Sequence, residues 1–114
     1  MPECIFCRIA SHELPARIVD EDEAYMAFHD LHPAAPVHIL VIPKSHVDSL
    51  AQWRTADPAT VGKLILKARD LSESMGFAES GYRLVINTGH EGGQTVSHLH
   101  IHLLAGRSLL WPPG

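Results

Sequence analysis

The sequence predicts an α+β fold: an antiparallel sheet of about five strands, flanked by one long helix and a short N-terminal helix. Three observations lead there. Strands come first, then a single long helix, then strands again, which segregates the helix instead of alternating it as a doubly wound parallel sheet would. The last two strands are joined by a short glycine-rich turn, and a short connection makes neighbours antiparallel. The chain has 114 residues, of which 46% are hydrophobic and 19% charged, enough to bury one core in a single domain over residues 1–114.

The elements follow in order. Ile5 to Ala10 forms one short helical turn. Ala24 to Asp30 alternates large apolar and small residues and reads as a strand, ended by Leu31-His32-Pro33. Val37 to Ile42 is a β-branched run between Pro36 and Pro43, hence a second strand. Ser45 caps a short helix to about Trp53, with His46 in its first turn. The long helix starts at Asp57-Pro58, an N-cap followed by proline at the first helical position. Val61, Leu64, Ile65, Ala68, Leu71 and Met75 recur at helical spacing, and Gly76 suits the position just past the end. Tyr82 to Asn87 is a strand. The turn Thr88-Gly89-His90-Glu91-Gly92-Gly93 then leads into a long last strand, Gln94 to Leu104.

The formal net charge of -4 argues against a protein that binds nucleic acid mainly through its phosphates, since that requires a basic surface. Apolar runs such as Ile39 to Ile42 are strand-sized, far short of the roughly 20 residues of a membrane span. The start, Met1-Pro2-Glu3-Cys4, has neither the basic nor the apolar region of a signal peptide, so the expected compartment is the cytoplasm.

Histidine is the unusual entry in the composition: nine residues, equal to Lys and Arg together. The imidazole ring titrates near pH 7 and serves as ligand, nucleophile or acid. The two cysteines, Cys4 and Cys7, are spaced C-x-x-C. That loop is too short to staple a fold, and no strand precedes it as a thioredoxin-like pair requires. Half of a tetrahedral zinc site and a pair of buried thiols both remain open on spacing alone.

The strongest constellation is Ser97-His98-Leu99-His100-Ile101-His102-Leu103-Leu104. Side chains of a strand alternate between faces, so His98, His100 and His102 form one row while Leu99, Ile101 and Leu103 enter the core. A solvated face would more simply use Lys, Thr or Glu, and three histidines in line are awkward ligands for one tetrahedral ion. The chemical reading is a nucleophilic imidazole flanked by donors that steady an anion. Gly92-Gly93-Gln94-Thr95, just before the row, offers main-chain N–H groups with little steric cover, suited to a phosphate.

The row resembles the motif of the histidine triad (HIT) family, and most closely the nucleotide-binding, purine nucleoside phosphoramidase branch. The resemblance spans nearly the whole chain: Cys4 to Ile9, Leu14-Pro15-Ala16, Ala27 to Asp30, Ala35 to His38, Val41 to Lys44, Gly81-Tyr82-Arg83, Asn87, Gly92-Gly93-Gln94, the triad, and the ending Gly106-Arg107 with Trp111 to Gly114. It implies a hydrolase that cleaves the P–N bond of nucleoside 5′-monophosphoramidates, purine preferred. His100 would attack the α-phosphorus and form a nucleotidyl-histidine intermediate, which water resolves to the nucleoside monophosphate. His102 and Thr95 would contact phosphate oxygens or the leaving group. Asn87 and the N–H groups around Gly93 and Thr95 would hold developing charge, and His38 would support the triad strand. Asp30 would accept from the ribose hydroxyls, and Phe6, Leu14 and Leu31 would line the base pocket. From local sequence, Phe6, Leu14 and Leu31 read equally as core, Asp30 as a turn residue and Asn87 as a cap. His12, His29, His32 and His90 read as surface or loop residues.

The resemblance also implies zinc on Cys4, Cys7, His46 and His98, structural, with none needed in catalysis. It implies a homodimer in which Trp111 and the C-terminal tail reach toward the neighbouring site. Two rival functions share these residues: dinucleoside polyphosphate hydrolysis or nucleotidyl transfer at the same site, and a non-catalytic nucleotide-binding or interaction module. Thr95, where a serine is common, keeps the hydroxyl and adds a methyl.

Overall fold

The structure, a computed structural model, describes residues 4–54 and 58–114. The expected cap Asp57 lies outside the described residues. Helix α1 spans Ile5–Ala10, followed by strands β1 (Ile18–Glu21), β2 (Tyr25–His29) and β3 (Val37–Pro43). Helix α2 spans Pro58–Ser74, and strands β4 (Tyr82–Val85) and β5 (Ile101–Ala105) complete the α+β fold. The five strands lie in the order β1-β2-β3-β5-β4, every neighbouring pair antiparallel.

Alternation along the central strands sorts the core into two clusters. Tyr25 and Ala27, Ile39 and Val41, and Leu99, Ile101 and Leu103 pack with Leu64, Ala68 and Leu71 of α2. The residues between them, Met26, Phe28, Leu40 and Ile42, pack with Phe6, Ile9 and Ala10 of α1. One helix therefore covers each face of the sheet, and β3 is buried over nearly its whole length. His38 shares parity with Leu40 and Ile42, so it emerges on the α1 face. The three triad histidines, opposite in parity to Leu99, Ile101 and Leu103, do the same.

Three expectations need correction. The stretch from Ser45 to Trp53 is not a helix beyond the single 3-10 turn Leu50–Gln52. Its backbone is used elsewhere: the Val47 carbonyl accepts from the Leu99 N–H at 2.7 Å and the Asp48 carbonyl from the Gln94 side chain at 2.7 Å. The last strand is five residues, not eleven. Its ladder to β3 ends at the pair Val41 and Ile101, because Pro43 beyond it has no N–H to give. Residues 94–100 keep the alternation of a strand but are tied down by side chains, so the connection from β4 is long rather than a tight turn. Strand β1 carries no clear sequence pattern: Ile18–Glu21 is short, half-exposed and irregular in register against β2. Helix α2 matches expectation, and Gly76 ends it at φ 88° with the Phe77 N–H reaching back to the Ser72 carbonyl. Of its apolar stripe, Ile65 and Met75 stay exposed, with Leu66 beside them.

Candidate active site

His100 is buried, and its Nδ1 lies 2.7 Å from the carbonyl of His98. A carbonyl only accepts, so Nδ1 holds the proton and Nε2 keeps a free lone pair. The ring is fixed from the side by Phe6, edge-on at 5.2 Å between centroids, and by His102 at 4.9 Å.

His38 sets the state of His102 by the same logic. The Ala34 N–H donates to His38 Nδ1 at 3.0 Å, which leaves the proton on Nε2. That N–H donates to His102 Nδ1 at 2.9 Å, so His102 carries its own proton on Nε2, as a donor. Burial, and then the neighbouring His100 and His38, push His102 down to about 4, while burial also lowers His38. Both rings are thus neutral at pH 7 and keep these roles. Asp30 closes the chain: Oδ2 is 3.5 Å from His38 Nε2, while Oδ1 accepts from the His32 N–H at 2.8 Å. Asp30, His38 and His102 are close enough together to hold a cation. The Ala34 bond nevertheless keeps a proton on the His38 nitrogen that would have to ligate, so the three act as a hydrogen-bond relay.

Next to this relay is a cavity of about 240 Å³ with Phe6, Asp30, Leu31 and Thr95 in its wall. Phe6 is buried, whereas Leu31 stands 79% exposed at the rim. His29 and His32, read from sequence as surface residues, also line it, as do Ile5, Ile9 and Phe28. Parity along β2 could have revealed Phe28, which shares a face with Met26. Leu14 packs half-buried against the α1 cluster and is not in the cavity wall. Thr95 is exposed and also borders a second, more open cavity of about 390 Å³, alongside Cys4, His46 and Asp48. The Gly93 N–H closes the turn onto the His90 carbonyl at 3.0 Å, with φ 81° at Gly93. Asn87 is half-buried just after β4, outside both cavity walls. Trp111 is 82% exposed in the C-terminal tail, where Arg83 donates to the neighbouring Leu110 carbonyl at 2.9 Å.

Cys4, Cys7, His46 and His98 converge, with their sulfur atoms and imidazole nitrogens all within 4.8 Å of one another. His98 Nδ1 is 3.4 Å from Cys4 Sγ and 3.5 Å from Cys7 Sγ, and His46 Nδ1 is 3.2 Å from Cys7 Sγ. The opposite nitrogens are committed as donors, His98 Nε2 to the Pro43 carbonyl at 2.8 Å and His46 Nε2 to Asp48 at 2.6 Å. Both Nδ1 atoms therefore aim bare lone pairs at the thiols. Burial, and the adjoining Cys4, push the Cys7 thiol up. The sequence reading missed Asp48 and the Pro43 carbonyl as orienting groups; the His46-x-Asp48 spacing was the available signal.

A sequence profile of the HIT domain matches residues 11–109. The chain belongs to the HIT family. It is 53% identical over 112 residues to an uncharacterized HIT-like protein of Synechococcus elongatus, covering 98% of this chain and 97% of that one. A HIT family hydrolase from Legionella pneumophila superimposes with a TM-score of 0.95 at 44% identity, covering 98% of this chain and all of the other. A histidine triad nucleotide-binding protein from Candida albicans superimposes with a TM-score of 0.82 at 28% identity, over 96% and 83% of the two chains. Among the described residues no helix is long and apolar enough to cross a membrane.

Proposed function

We propose that this HIT protein hydrolyses nucleoside 5′-monophosphoramidates, purine preferred, through a nucleotidyl group on His100. The observation that carries the reading is the 2.7 Å bond from His100 Nδ1–H to the His98 carbonyl, which in the neutral ring leaves the lone pair on Nε2. Similarity to proteins named as a HIT family hydrolase and a histidine triad nucleotide-binding protein supports nucleotide chemistry at this site.

In the proposed reaction, His100 Nε2 forms a bond to the α-phosphorus as the P–N bond breaks, and the amine departs with a proton taken from solvent, which the water of the second step returns. Water then displaces the histidine to give the nucleoside monophosphate. The His102 Nε2–H donates to a phosphate oxygen, and its proton stays on that atom because the His38 N–H occupies Nδ1. Thr95 has both a hydroxyl and a main-chain N–H without partners among the described residues, and both serve the phosphate or leaving group. Gly93 would supply the bend that brings Thr95 there, and Asn87, outside the cavity walls, would have to turn its amide toward the phosphate from just after β4. The base enters the apolar cavity against Phe6 and Leu31, with Leu14 bracing the wall, and the ribose hydroxyls donate to Asp30. Mass spectrometry of protein quenched during turnover should find a nucleotide adduct on the peptide holding His100, and His100→Ala should lose at least about a thousandfold in rate. Turnover unchanged in that variant sinks the covalent route, and faster cleavage of a dinucleoside polyphosphate than of a phosphoramidate sinks the substrate class.

We also propose one structural zinc on Cys4, Cys7, His46 and His98. A tetrahedral zinc with bonds of about 2.3 Å to sulfur and 2.0 Å to nitrogen keeps its ligands about 3.3–3.8 Å apart. A sulfur–nitrogen pair falls at about 3.5 Å in that range, and the observed separations of 3.2–3.5 Å lie at or just under it. With all four positions filled by protein, the ion supplies a cross-link and no reactive coordination site. Elemental analysis should return one zinc per chain. Finally, we propose a homodimer, supported by exposed Leu66, Leu110 and Trp111 and by the free edge of β4.

A further inference from the structure

We propose that Cys4 and Cys7 are an oxidation site: a hydroperoxide converts them to a disulfide, which releases the metal and loosens the nucleotide pocket through Phe6. The two sulfurs lie within 4.8 Å of each other, and both thiols are half-buried rather than sealed. Cys4 borders the open 390 Å³ cavity, which gives a small oxidant access. Three residues apart across a helical turn, the two Cα atoms are about 5 Å apart. That is inside the 4.4–6.8 Å range of a disulfide. The Cys7 N–H already reaches Cys4 Sγ at 3.4 Å, so closing the bridge requires side-chain rotation and little backbone movement.

The chemistry balances. One thiol takes oxygen from the hydroperoxide to become a sulfenic acid, with an alcohol (or water) released. The second thiol then attacks that sulfur, forming the S–S bond and expelling water. Two thiols are oxidised by two electrons and one hydroperoxide is reduced. A dithiol reverses the step by exchange.

The consequence follows from what lies between the two cysteines. Phe6 packs edge-on against Phe28 at 5.5 Å, His98 at 5.9 Å and His100 at 5.2 Å, and it is part of the cavity wall. A disulfide supplies no thiolate, so the zinc proposed above would lose half of its ligands at once. Helix α1, only six residues long, then loses the anchor at its start, and Phe6 loses its fixed place between base and nucleophile. The thiol chemistry stands by itself, while its effect on ligand affinity rests on the nucleotide reading above.

The test uses the protein as purified, titrated with hydrogen peroxide and read three ways. In the tryptic peptide ending at Arg8, both alkylatable thiols should vanish with a loss of about 2 Da, restored by dithiothreitol. A chromogenic chelator should record one zinc released per disulfide formed. AMP affinity, from calorimetry on oxidised and re-reduced, zinc-reloaded samples, should be at least about fivefold weaker in the oxidised form. Thiols that survive peroxide, or a disulfide that forms with zinc retained, overturn the proposal. Unchanged AMP affinity in the oxidised form overturns the link through Phe6. Should the reduced protein bind no AMP, the nucleotide reading fails, and the first two readouts still decide the thiol chemistry.

Discussion

His38 and His102 show how one backbone N–H can fix the protonation of a site two residues away from it. Ala34 donates to His38, His38 to His102, and each step removes one tautomer. The same contacts fix a pH dependence. His102 titrates near 4 when folded, against about 6.5 when unfolded. Between those values the unfolded chain takes up a proton that the folded chain refuses, so stability falls as pH drops through that window and levels off below it. The full shift corresponds to about 3 kcal/mol, and contact with solvent lowers the share realised. Urea midpoints at pH 7 and pH 4 should therefore differ more for the wild type than for His102→Asn, and parallel losses would contradict this. Gly92 gives a second test at this scale. An added Cβ would run into the Thr88 carbonyl oxygen, a backbone atom that cannot swing aside as a side chain would. Gly92→Ala should open the turn before Thr95 and cut kcat/KM at least about tenfold, with a smaller change in melting temperature. An unaltered rate would show that the turn does not position Thr95.

At the scale of elements, what the sequence discloses depends on whether periodicity or tertiary bonding rules a segment. Helix α2 was readable because its apolar spacing, its proline start and its glycine end all agree. The triad row was readable for the same reason: alternation puts His98, His100 and His102 on one face even where no ladder exists. Residues 94–100 look like a strand and are not one, because Gln94, His98 and His100 bond to the backbone through their side chains. Residues 45–53 look like a helix and are not one, because their carbonyls serve that same segment. Neither fact is local, so no local pattern discloses it. Helix α1 is the sharper case, being too short to persist alone. It is held by burial of Phe6, Ile9 and Ala10 and by the cysteine–histidine cluster at its start. Removing the proposed zinc with a chelator at pH 7 should speed amide exchange over residues 5–10 and leave β2 and β3 protected. Equal protection of α1 in both forms would detach the cluster from the helix.

At the scale of the whole molecule, the question is what the exposed apolar surface meets. The chain is compact, with a radius of gyration of 13.6 Å, close to the about 13 Å expected for this length. Even so, Leu66 is 46% exposed, Leu110 76% and Trp111 82%, large residues that one subunit cannot cover. Their arrangement is not accidental to the site. Arg83 on β4 holds the carbonyls of Leu109 and Leu110, so the tail is pinned just before Trp111 while its ring projects outward. The pinned strand is also one of the two edges of the sheet, and an edge presents main-chain groups that a second copy would satisfy in the proposed dimer. In the proposed dimer, symmetric association would cover the sheet edge and the exposed Leu66 of α2. Light scattering at tens of micromolar should give about twice 12.5 kDa, and Leu66→Glu on α2 should shift the population toward the monomer. Trp111→Ala should lower the dimer fraction less than Leu66→Glu does, yet raise KM for the phosphoramidate severalfold, because the ring would act in the neighbouring site as well as at the contact. A wild-type mass of one chain at that concentration would remove the dimer, and with it the role given to Trp111.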